Sequence, residues 1–119
     1  MAKNLDIILL FDIYGEMLTK KQQDFIGYYY NDDLSLAEIA ENEGITRQGV
    51  RDAIKRAEGQ LIEFEKHLGL QERFRNINST LDEIRELTVL IDEINKKTLL
   101  SREINDATAR ISALTQMLR

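Results

Sequence analysis

Residues 35–57 read S-L-A-E-I-A-E-N-E-G-I-T-R-Q-G-V-R-D-A-I-K-R-A, and this stretch decides the fold. Ser35 and Glu38 have the spacing of a capping box. In that arrangement the serine hydroxyl accepts from the third backbone N–H of a helix while the glutamate reaches back to the serine N–H. Ile39 and Ala40 then face inward, and the small Ala40 lets a second helix cross closely. Gly44 falls where the chain must turn sharply, a place that favours positive φ. Ile45 is expected to plug the angle between the helices, and Thr46 to cap the second one with its hydroxyl. Val50, Ile54, Ala57, Leu61 and Phe64 follow at alternating spacings of four and three, an apolar helical stripe. At about 100° per residue, Gln48, Arg51, Asp52 and Lys55 fall on the opposite side. Two capped helices joined at a glycine, the second apolar inside and polar outside, form a helix-turn-helix, a unit that places its second helix in the DNA major groove.

The distribution of charge agrees with that use. The chain of 119 residues carries a formal net charge of −5, which argues against a general nucleic-acid coat. Residues 1–45 hold three basic and nine acidic side chains, whereas residues 46–56 hold Arg47, Arg51, Lys55 and Arg56 against Asp52 alone. The one concentrated positive patch coincides with the start of the second helix. An acidic body behind it lowers affinity for arbitrary duplexes, so tight binding calls for two patches on a dimer or for a further partner.

Around this unit the chain reads as helix throughout. With no proline nothing interrupts a backbone N–H ladder. Lys3 to Tyr14 forms a helix apolar almost all round, which must be covered on more than one side, and Gly15 ends it. Thr19 with Gln22 is a second capping box, opening a helix through Tyr30 whose buried face is Phe25, Ile26 and Tyr29. Asn31-Asp32-Asp33 is a turn. The recognition helix continues to His67 or Leu68, where Gly69 closes it. Gly49, inside that helix, marks either a close approach to DNA or to another helix, or a plain loss of helix propensity. Further on, Thr80 and Glu83 have capping-box spacing, and Ile77, Leu81, Ile84, Leu87, Ile91 and Ile94 make a helical stripe. Asn95 to Thr98 interrupts it. Leu100, Ile104, Ala107, Ile111, Leu114 and Leu118 then resume as a heptad seam. The expected division is residues 1–75, an N-terminal helix plus helix-turn-helix domain, and residues 76–119, a C-terminal helical extension. That extension serves for dimerisation or folds back, and pairing between subunits is the favoured reading.

Chemistry of other kinds has no place in this sequence. His67 is the single histidine and there is no cysteine, so no His- or Cys-based catalytic or metal centre can be assembled. No glycine-rich loop precedes Lys-Ser or Lys-Thr. Asp32 and Asp33 are turn residues, and Glu41 and Glu43 lie on a solvated face. In the Tyr28-Tyr29-Tyr30 run a core aromatic with exposed neighbours is favoured over a base-stacking platform. No enzyme, cofactor or metal is expected. Ile7 to Phe11 is too short a run for a signal peptide or a membrane span, and the chain reads as soluble and cytoplasmic.

The helix-turn-helix with the Thr19–Tyr30 helix before it resembles region 4 of the sigma-70 family, which reads the −35 promoter element. More narrowly, L-L-F-D-I-Y-G-E-M-L-T-K-K-Q, Y-Y-Y-N-D-D-L-S-L-A-E-I-A and I-T-R-Q-G-V-R-D-A-I-K-R-A-E resemble the YlxM-like family of small sigma-region-4-like proteins, over about Leu5 to Phe74. The resemblance implies an all-α, dimeric protein, and its genomic neighbourhood in that family implies a role in or regulation of the signal recognition particle pathway. By position, Thr46, Arg47, Gln48, Arg51 and Lys55 match the DNA-facing surface of sigma-like recognition helices, with Arg56 at the flank. Double-stranded DNA is therefore the first expected partner and a signal recognition particle component the second. In that second reading the basic helix docks on protein or RNA of the targeting machinery. Glu43 departs from the pattern, since an apolar residue usually precedes the turn glycine.

Overall fold

The computed structural model describes residues 1–119, and every regular element in it is helical. The elements are α1 (Leu5–Tyr14), α2 (Lys20–Ile26), α3 (Leu36–Glu43), α4 (Arg47–Leu68), α5 (Leu70–Lys97) and α6 (Arg102–Met117). The chain divides into two compact units, Met1–Gln71 and Glu72–Arg119.

In the first unit, α1, α2 and α3 all pack against α4. Local sequence explains where they start. Thr19 and Gln22 cap α2 reciprocally, as do Ser35 and Glu38 at α3. The Thr46 hydroxyl accepts from the Gly49 N–H at 3.0 Å to open α4. Gly44 (φ 68°) and Gly69 (φ 63°) end α3 and α4 in the left-handed conformation that only glycine adopts without strain. The core they enclose holds Ile7, Leu10 and Tyr14 of α1, Phe25 and Ile26 of α2, Ile39 and Ala40 of α3, and Val50, Ile54, Ala57 and Leu61 of α4.

Several expectations are corrected. Gly15 does cap the end of α1, as expected, but with ordinary helical dihedrals rather than a left-handed turn, and the chain runs on as a 3₁₀ turn to Met17. The second helix does not continue regularly to Tyr30: α2 stops at Ile26, and residues Gly27–Asn31 form a π-turn. That wider turn rotates Tyr30 inward beside Tyr29, so both rings are buried and meet edge-on at 5.2 Å. On α1, Ile8, Phe11 and Ile13 are half-buried, but Leu5 and Leu9 remain exposed.

In the second unit, α5 and α6 form an antiparallel hairpin. The Asn95 amide clamps the turn, donating to the Ser101 carbonyl and accepting from the Ser101 N–H at 2.9 and 2.8 Å. At the other end Arg119 pairs with Asp82. The Thr80–Glu83 capping box does not exist, because α5 is already helical from Leu70 and the Thr80 hydroxyl donates back to the Asn76 carbonyl. The break after Ile94 lies in residues 98–101, where Leu100 takes a positive φ of 49°. No helix is long and apolar enough to cross a membrane.

Candidate nucleic-acid interface

The inner side of α4 is fixed by burial, since Val50, Ile54, Ala57 and Leu61 are each fully enclosed. A helix with a fixed inner side has a fixed outer one. Gln48, Arg51, Asp52 and Lys55 are accordingly exposed, as are Thr46, Arg47 and Arg56 at the start and flank of the helix. All six sequence-identified residues thus lie within the first three turns of α4 or at its cap.

Their partners differ, and this was not legible beforehand. Arg47, Arg51 and Arg56 form no ion pair, while the Lys55 ammonium lies 3.9 Å from the Glu58 carboxylate. Gln48 Nε2 donates to Asp52 Oδ1 at 2.9 Å, one turn on. That bond occupies one amide hydrogen and leaves Oε1 and the second hydrogen free, enough for bidentate pairing with adenine. Thr46 uses its oxygen as the helix cap, so what it can offer a phosphate is its hydroxyl hydrogen. Gly49 sits against that cap: a Cβ there would stand 3.2 Å from Thr46 Oγ1. The close approach is therefore to the cap of its own helix and not to another helix, as one reading of the sequence had it. Ile45 does not plug the helix angle. It is 39% exposed and lines a cleft with Phe25, Ala53, Lys21 and Arg56 between α2 and α4.

Two glutamate contacts, one buried and one half-buried, hold α4 in place and were missed in the sequence. Tyr30 donates to Glu58 at 2.7 Å, and Tyr14 donates to Glu65 at 2.8 Å. The same Tyr14 oxygen accepts from the Leu70 N–H, and Glu65 accepts from the Gln71 N–H. A signal existed. Glu58 and Glu65 lie about 40° and 20° from Ile54 on the helical wheel, inside the apolar stripe, where a carboxylate needs a donor. Which donor reaches it depends on the π-turn and on α1, which no local pattern specifies.

Burial first, and then the hydrogen bond to Glu58, pushes the Tyr30 phenol up to about 12 from its ordinary 10.0. A folded-state value above the unfolded one means the neutral phenol stabilises the fold fully below pH 10.0, and that contribution is lost as pH rises through about 12. Chemical denaturation at pH 9 and again near pH 11.5 should therefore show a fall in stability that is smaller in Tyr30→Phe. Equal falls in the two proteins would count against the Tyr30–Glu58 bond. Burial likewise raises Tyr14, so some alkaline loss persists in the variant.

Comparison with known proteins agrees with this architecture. Residues 1–101 match the family described as "Putative helix-turn-helix protein, YlxM / p13 like". A UPF0122 protein of Desulforamulus reducens is 49% identical over 81 residues, spanning 68% of this chain and 69% of the relative. One from Shouchella clausii is 46% identical over 86 residues (72% and 79%), and one from Clostridium kluyveri is 48% identical over 77 residues (65% and 69%).

Proposed function

Because the chain belongs to the UPF0122 family of YlxM/p13-like helix-turn-helix proteins, we propose that it is a DNA-binding regulator that lays α4 in the major groove. The observation that carries this is the exposed basic face of α4, whose arginines form no ion pair, on an otherwise acidic protein. Arg47 and Lys55 would hold phosphates with Arg56 at the flank, Thr46 would donate its hydroxyl to one, and Gln48 and Arg51 would reach base edges. As in sigma-70 region 4, the preceding helices then serve as a scaffold that aims α4. The family resemblance adds a role in or regulation of the signal recognition particle pathway, in the cytoplasm. No catalytic role is proposed for a chain of this family.

A second reading is favoured by the net −5 charge. In it, α4 docks on a protein or RNA component of the targeting particle and specific duplexes are not read. One titration separates the two. Anisotropy of a labelled random duplex is followed from 50 to 200 mM salt, beside the targeting GTPase and its RNA. Three phosphate contacts predict a log–log slope of roughly −3 and a loss of roughly fortyfold over that range. No duplex binding at the lowest salt, with firm binding to either targeting component, would decide for the second reading.

A further inference from the structure

One apolar residue of the helix-turn-helix is left unused by the fold. Ile45 follows the turn glycine, yet it is 39% exposed and lies on an open cleft between α2 and α4, inside the first unit. Phe25 of α2 and Ala53 of α4 complete an apolar floor. The cleft has a volume of about 370 Å³, at the small end of the range for ligand sites. A free small molecule needs a site that buries most of its surface, which a cleft this open does not provide. It suits a side chain delivered by a larger partner.

The walls carry one sign of charge. Lys21 belongs to the α2 side and Arg56 to the α4 side, and no carboxylate lines the cleft. This occurs on a protein whose first 45 residues hold nine acidic side chains against three basic ones. Lys20, one residue earlier, is taken by Asp24 at 2.7 Å, but neither Lys21 nor Arg56 has an acidic partner. The capping box of α2 occupies acceptors as well. Thr19 Oγ1 accepts from the Gln22 N–H at 3.2 Å, and Gln22 Oε1 accepts from the Thr19 N–H at 3.0 Å. The hydroxyl hydrogen of Thr19 and the amide hydrogens of Gln22 remain to be donated. An apolar floor rimmed by cations and donors calls for an occupant that is both apolar and negatively charged.

We infer that the α2–α4 cleft is a docking site for an acidic protein segment, which seats one large apolar side chain on Ile45, Phe25 and Ala53 and pairs its carboxylates with Lys21 and Arg56. Charge and floor decide this together. A nucleic-acid backbone would satisfy the two cations but leave the apolar floor unmatched. A wholly apolar partner would cover the floor but bury Lys21 and Arg56 beside no counter-charge, which is costly. An acidic segment carrying an apolar residue meets both demands. The site is separate from the outer face of α4, with which it has Arg56 alone in common. A docked segment therefore competes with a duplex for one phosphate contact at most, and the inference holds whatever the outer face binds.

Two labelled nonapeptides test it on the full chain by anisotropy, at about 150 mM salt, where charges more than about 8 Å apart are largely screened. One has a phenylalanine centred among aspartates and glutamates, and the other has alanine in its place. The phenylalanine peptide should bind roughly tenfold more tightly. Ile45→Ser should abolish that preference, and Lys21→Glu and Arg56→Glu should each weaken binding at least about threefold. Lys66→Glu makes the same charge change about 15 Å further along α4 and should leave binding unchanged. All four positions are exposed, and thermal midpoints measured alongside verify that each variant is folded. No binding of the phenylalanine peptide, equal binding of the two peptides, or equal weakening by Lys66→Glu and Lys21→Glu overturns the inference. So does a random duplex whose affinity falls with Lys21→Glu while the peptide's does not, a result that gives the cleft to nucleic acid.

Discussion

Ile54→Ala lowers the thermal midpoint of the helix-turn-helix unit by about 10–40 °C. Ile54 is fully buried on the inner side of α4, in the same core as Ile7, Ile26 and Ile39. Truncating such a side chain removes its transfer free energy and leaves a cavity that the three surrounding helices close only in part, costing about 2–5 kcal/mol. In a unit of this size each kcal/mol is worth about 4–8 °C. Calorimetry checks the shift, and a change below about 3 °C would show that the core relaxes around the site. Duplex affinity should fall only to the extent that the unit unfolds, since Ile54 faces away from the basic surface.

Arg51→Ala is expected to do the reverse, leaving the thermal midpoint in place and weakening the preferred duplex by about 1–3 kcal/mol, or roughly 5- to 150-fold. Arg51 is exposed, makes no ion pair and sits at the middle of the outer face of α4, where a guanidinium reaches a guanine edge. Loss of that contact relaxes the preference for one sequence over another. Lys55→Ala, by contrast, should weaken every duplex alike and reduce the salt slope by about 1, because an ammonium on phosphate carries no base information. Lys55 is also held near Glu58, so its removal frees that carboxylate from its only nearby cation while Tyr30 keeps donating to it. Parallel losses on preferred and random duplexes for both variants would defeat this division of roles, and a drop in midpoint for Arg51→Ala would assign it to the fold instead.

The boundaries of the helix-turn-helix were legible because they rest on local chemistry. A capping box needs two side chains three residues apart, and a left-handed turn needs a glycine. Thr19, Ser35, Gly44, Thr46 and Gly69 all do in the structure what their spacing announces. The same rule misled at Thr80, where the residue pattern is present but the backbone N–H groups are already taken by the turn before. A cap is defined by unsatisfied donors, and those depend on where the helix begins. For the same reason Ile45 looked like a plug: an apolar residue beside the turn glycine is predicted inward, yet its side chain settles on the cleft beside Phe25 and Ala53.

By itself the sequence determined the helices, the inner and outer sides of α4 and the location of the positive charge. Each of these follows from periodicity and composition within a few turns of chain. Tertiary structure alone decided which donors satisfy Glu58 and Glu65, since Tyr30 and Tyr14 lie 28 and 51 residues away in sequence and the π-turn that aims Tyr30 has no local signature. It also decided which side of α5 faces α6. Apolar stripes suggest how helices ought to meet, but Thr88 and Asn95 join the hairpin, because the short turn clamped by Asn95 and Ser101 constrains the rotation of both helices.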